Sequence, residues 1–202
     1  PSCEGSKPGE ARPVPTPDPS TGKLDARWPV TDTFVVPAGW SSGYYVAKLV
    51  LASGPSAGKG TLVPFIVRAP ASRHSAILVQ ASVSTWQAYN NWGGKSLYPN
   101  GSTDTVPANR VSFNRPYWNT GSGGQSYFDW EIQLARFLER EGYDVTYTTD
   151  VDVARDPSQL LHHELDITAG HDAYWSREQR DRYEAARNAG VDLAFIGPRP
   201  NF

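Results

Sequence analysis

From Ala76 onward the chain alternates between short apolar runs and amphipathic stretches closed by helix-stop signals, and that alternation constrains the fold most. Ala76 to Val79 predicts a compact strand. Tyr127 to Glu141 places Phe128, Ile132, Ala135 and Leu138 on one helical stripe, with Gly142 just past the end, where a left-handed backbone is favoured. Val145 to Thr148 predicts a strand. Asp156-Pro157 predicts the start of a short helix, with Asp as cap and Pro at the first helical position. Leu165 to Thr168 is the next strand, Ser176 with Gln179 has the spacing of a capping box opening a helix to about Ala189, and Gly190 leads into a last strand, Val191 to Ile196. Strands and helices in this order predict an α/β fold, a mostly parallel sheet flanked by helices on both faces. Ligands gather outside the carboxyl ends of such strands, which directs attention to Gln80 to Asn91, Ala169 to Trp175 and Gly197 onward.

The first 75 residues read differently. Residues 1–27 are rich in proline with almost no apolar periodicity, which predicts an extended arm or linker whose structure is borrowed from a neighbour. Residues 28–70 carry β-type runs, Thr33 to Val36, Tyr44 to Leu51 and Thr61 to Val67, and predict an N-terminal β-hairpin or meander. Residues 71–202 then form the α/β domain. The turn Gly54-Pro55-Ser56-Ala57-Gly58-Lys59-Gly60-Thr61 superficially resembles a phosphate-binding loop. It has one residue too few between its glycines, Gly60 stands where a metal-binding hydroxyl belongs, and a strand follows, so it reads as a hairpin loop.

A formal charge of −2, with the basic residues scattered, gives no electrostatic reason to expect nucleic acid as a partner. No apolar run approaches the roughly 20 residues that cross a bilayer. The Pro/Ser/Gly-rich start and the lack of core cysteines point toward a secreted protein, with the cytoplasm as the alternative. Cys3 is the only cysteine, so no intrachain disulfide forms.

Three segments could carry chemistry. Ser84 to Gly94 follows the first parallel strand and packs two tryptophans, a tyrosine and three amides into eleven residues; Trp86, Gln87, Asn90 and Trp92 are candidate pocket residues, although rings with polar tips also cap sheets. Val111 to Trp118 presents Arg115-Pro116-Tyr117 ahead of the long helix. Ala169 to Trp175 lies between a strand and a capped helix. There His171 is a candidate proton carrier, Asp172 a candidate orienting group and Trp175 a pocket residue. His162-His163 reads as surface. No Gly-x-Ser-x-Gly elbow or His-Glu-x-x-His motif occurs, which disfavours the familiar serine and zinc hydrolases.

Four stretches together carry a family resemblance: Thr85 to Tyr98, Val111 to Tyr117, Leu138 to Val145 and Gly170-His171-Asp172-Ala173-Tyr174-Trp175-Ser176. In order and spacing, over roughly residues 30–197, the chain resembles the C-terminal domain family of the N,N-dimethylformamidase large (beta) subunit. The resemblance implies a glutamine-amidotransferase-like or flavodoxin-like α/β fold and an iron held by two tyrosinates and one glutamate, hydrolysing a small amide. Carried over by motif, the tyrosines are Tyr89 and Tyr117 and the site histidine is His171. The family's Gly-His-Asp-Glu-Tyr-Trp has Ala173 at the glutamate, so the third ligand is missing, and its Gly-Ala-Asn is Gly197-Pro198-Arg199 here.

Two functions follow from the sequence. One is a metal-dependent amidohydrolase acting on a small amide. The other is a catalytically silent relative retained for binding, structure or self-assembly, with the proline-rich arm docking on a partner subunit or a second copy. The ending at Phe202 further suggests a domain truncated relative to the family.

Overall fold

A computed structural model describes residues 5–118 and 127–197. Cys3 and Arg199 lie outside the described residues. The elements are β1 (Gly43–Val50), β2 (Gly60–Val67), β3 (Ile77–Ala81), α1 (Val83–Tyr89), α2 (Ile132–Arg140), β4 (Val145–Thr149), α3 (Asp150–Arg155), β5 (Leu165–Ala169), α4 (Arg177–Asn188) and β6 (Asp192–Ile196), with short 3-10 turns between them and a π-helical turn, Tyr127–Glu131, leading into α2. β1 and β2 form an antiparallel hairpin closed by the 54–59 turn, as expected. The other four strands form a parallel sheet in the order β4-β3-β5-β6.

Period-two side chains give this sheet two buried faces. Leu78 points to one side and packs with Val153, Leu160, Tyr183 and Ala186, burying α3 and α4. Val79, Tyr147 and Ile167 point to the other and pack with Ala135 and Leu138 of α2 and with Tyr44 and Ile66 of the hairpin. The chain runs from β3 to β4 on one side and from β5 to β6 on the other. The crevice between the ends of β3 and β5 is therefore the topological switch point, where such sheets take their ligands.

Local signals explain most boundaries. Gly142 has φ +77° and ends α2, with the Tyr143 N–H bonded to the Leu138 carbonyl. The Ser176 hydroxyl accepts from Gln179 N at 3.1 Å and caps α4. Two expectations need correction. Asp156 closes α3, which Thr149 caps by accepting from Asp152 N at 3.1 Å, and the short helix expected from Asp156 is a 3-10 turn, Gln159–His162, that starts after Ser158. Residues 33–36 form no strand. The aromatic stretch from Ser84 is mostly the helix α1, whose first-turn N–H of Ser84 is met by the Asp150 carboxylate at 2.8 Å.

Over its described residues, 5–27, the proline-rich arm is without helix or strand but packs on its own chain. Leu24 is 1% exposed and lies over Gly93, where a side chain would collide with it. Ala26 N bonds Asn114 O, Asn109 N bonds Thr21 O, the Asn114 amide donates to Asp25, and Trp28 meets Trp92 edge-on at 5.6 Å. The arm thus straps the 91–114 loop onto α1.

Candidate functional site

At the switch point the end of α1 meets the loop after β5. The Tyr89 hydroxyl is 3.2 Å from His171 Nε2, and the two rings are 4.6 Å apart. Tyr98 stacks on Tyr89 at 4.5 Å, donates to its hydroxyl at 2.9 Å, and lies 2.5 Å from the Tyr174 hydroxyl. Three phenols and an imidazole thus form one hydrogen-bonded rim. Burial and the bond to Tyr98 push the Tyr89 and Tyr174 phenols well above their ordinary range, so both stay protonated. Burial lowers His171, which leaves a neutral imidazole at neutral pH.

The backbone holds this rim through Thr85. Its hydroxyl accepts from Ala173 N at 3.0 Å and Tyr174 N at 3.2 Å, fastening the β5 loop to α1. Gly170, at φ +72°, makes the entry turn, and any side chain there would strike Trp130.

Beneath the rim lies a buried polar floor. Gln80 donates to Asp172 Oδ2 at 3.1 Å while its own oxygen accepts from Gln179 at 2.9 Å and Tyr183 at 3.0 Å. The Gln179 side chain therefore reaches from α4 to Gln80 on the sheet face that α4 covers and does not complete the expected capping box. Glu131 accepts from Tyr44 at 2.7 Å, Trp86 Nε1 at 2.8 Å and Ser82 N at 3.4 Å. Burial dominates all three carboxyls, pushing Glu131 up to about 8, Asp150 to about 7 and Asp172 to about 6, and Asp172 adds repulsion at both of the others.

The sequence-predicted residues therefore divide. Tyr89 and His171 meet. Asp172 turns inward to Gln80, so Tyr89 and not Asp172 is the partner of His171. Trp86, Gln87 and Asn90 are at most 2% exposed and frame the site instead of lining a cavity. Gln87 accepts from Arg115 and Asn90, while Asn90 binds Pro116 O and Trp118 N. Trp92 packs on Trp28, just after the arm, and Trp175 stacks on Tyr183 at 4.7 Å. Arg115 is buried, donates to Lys95 O and Gln87 O, and is brought down to about 10 by burial. Tyr98, Tyr174, Thr85, Gln80, Glu131 and Asp150 were missed. Asp150 directly follows β4, so applying the strand-end rule to every strand finds it.

The iron implied by the resemblance is tested by these donors. Tyr117 belongs to a separate group: burial pushes it up to about 12, it bonds to Gln87, and its ring meets Trp86 edge-on at 6.2 Å. Tyr89 spends its hydroxyl on His171 and Tyr98. Ala173 offers only a methyl group, and its N–H is committed to Thr85. The set of Tyr89, Tyr117 and a third anionic ligand does not fit as implied, and no step below runs through iron.

Among the described residues no helix is long and apolar enough to cross a membrane. A search among curated proteins finds no match to the chain. Residues 2–199 match the family described as N,N-dimethylformamidase beta subunit-like, C-terminal, and the chain belongs to that family.

Proposed function

We propose that this chain carries an amidohydrolase-like site for a small amide at the rim formed by Tyr89, Tyr98, His171 and Tyr174. The observation that carries the reading is the 3.2 Å contact between Tyr89 and His171, 82 positions apart, at the switch point of the sheet. A phenol hydroxyl of the rim donates a hydrogen bond to the amide oxygen. The neutral His171 takes a proton from water as the water oxygen bonds to the carbonyl carbon. The imidazolium then returns that proton to the nitrogen as the C–N bond breaks, giving an acid and an amine. General base action of this kind contributes roughly 10²–10⁴-fold, and phenol donors aimed at the developing oxyanion add to it.

Ala173 supports a second reading, in which the amide is bound but not hydrolysed. The finer glutamine-amidotransferase-like or flavodoxin-like class is supported by the strand order, which matches the first four strands of the 2-1-3-4-5 sheet. A partner subunit is supported by Val30 and Val35, just after the strap, 82% and 80% exposed.

The test is amine release from formamide, acetamide and N,N-dimethylformamide, paired with binding of the same amides. Turnover that His171→Ala reduces at least a hundredfold supports hydrolysis. Binding without turnover selects the second reading, and neither binding nor turnover removes both.

A further inference from the structure

At the opposite, amino-terminal edge of the parallel sheet, a cavity of about 250 Å³ opens between the turn after β2 and the 3-10 turn Gln159–His162. Three of the chain's four histidines line it, His74, His162 and His163. The ring centroids of His74 and His162 are 4.6 Å apart. Two imidazoles on one ion, with metal–nitrogen bonds of about 2.0–2.1 Å, place their centroids roughly 4.5–5.2 Å apart, a range that includes the observed spacing.

The rest of the lining is short of donors. His163 Nδ1 is 2.8 Å from Ser75 O, which makes Nδ1 the protonated nitrogen and leaves the lone pair on Nε2. The Gln159 side-chain oxygen is buried in the same cavity without a hydrogen-bond partner among the described residues. The arginines at the rim are committed, Arg68 to Asp152 and Arg73 to Asp144. Asp156 spends its carboxylate on Ser158 N and Oγ. Unmet acceptors suit a cation better than an anion, and imidazole selects the zinc and nickel class over magnesium or calcium.

We propose that His74 and His162 chelate one divalent cation of the zinc or nickel class, joining the turn after β2 to the 159–162 turn. Among the described residues no group of three or more His, Cys, Asp and Glu forms a metal cluster, so water completes the shell and the ion exchanges readily. This site lies at the other end of the strands from His171 and is independent of the amide reading.

Calorimetric titration of Ni²⁺ into the chain without a histidine tag tests it. One equivalent is expected, weakened at least tenfold by His74→Ala or His162→Ala and unchanged by His171→Ala. Both substituted histidines are exposed, so folding is not at stake. No Ni²⁺ uptake, uptake indifferent to His74 and His162, or uptake abolished by His171→Ala would each overturn the proposal.

Discussion

The rim and the floor of the switch point are both polar, but they are built on opposite principles. The rim residues Tyr89, Tyr98, His171 and Tyr174 are joined by hydroxyls that a ligand could exchange for its own bonds. The floor residues Gln80, Glu131, Asp150 and Asp172 are at most 3% exposed, and most of their polar atoms are held by bonds within the protein. A buried polar group is costly unless bonded. The floor therefore holds α1 and the β5 loop in register, and the rim is where chemistry is affordable. Removing the bonds that hold the floor should cost stability, and removing the hydroxyls of the rim should cost ligand binding.

The largest effect is expected at the junction. Trp86 is fully buried and donates to Glu131, so Trp86→Ala should destabilise by about 3–5 kcal/mol in denaturant unfolding. A loss below 1 kcal/mol would break the distinction between the layers. Next is Glu131, whose folded value near 8 lies above the ordinary 4.5. The fold favours its protonated form, so its contribution is fully present below about pH 4.5 and is lost as pH rises through 8. Asp150 and Asp172 act in the same direction. Glu131→Gln should flatten the fall in Tm from pH 5 to 8.5, leaving the variant about 2 kcal/mol more stable than wild type at the upper end. An unchanged slope would place the titration elsewhere.

Thr85→Val should cost about 1–3 kcal/mol by stripping the acceptor from two buried N–H groups, and should weaken amide binding because the rim loop is released. The smallest stability effect belongs to Tyr98→Phe, about 0.5 kcal/mol in thermal unfolding, since the ring stack on Tyr89 survives. Its amide affinity should nevertheless fall several-fold. Equal losses in stability and affinity would merge rim and floor into one structural unit.

Periodicity and capping made the sheet and the helices α2 and α4 legible, because the burial of Leu78 and Val79 on opposite faces and the cap at Ser176 are local consequences of local sequence. The strand-end rule likewise led to His171 and to the segment that holds Tyr89, which the family resemblance then singled out. The direction of Asp172 was not legible, because it depends on Gln80, Gln179 and Tyr183, which come from two other elements. Glu131 was hidden for the same reason: its partners Tyr44, Ser82 and Trp86 lie 45 or more positions away. The arm was legible as extended but not as a strap, since a glycine at position 93 gives no sign that Leu24 covers it.

The most direct test of the rim is ring-proton and nitrogen NMR of the four histidines during titration with N,N-dimethylformamide. The account predicts saturable shifts at His171, lost in Tyr89→Phe, with His74, His162 and His163 at the far edge unmoved. Shifts confined to the far-edge histidines, or none at His171 up to saturating amide, would contradict it.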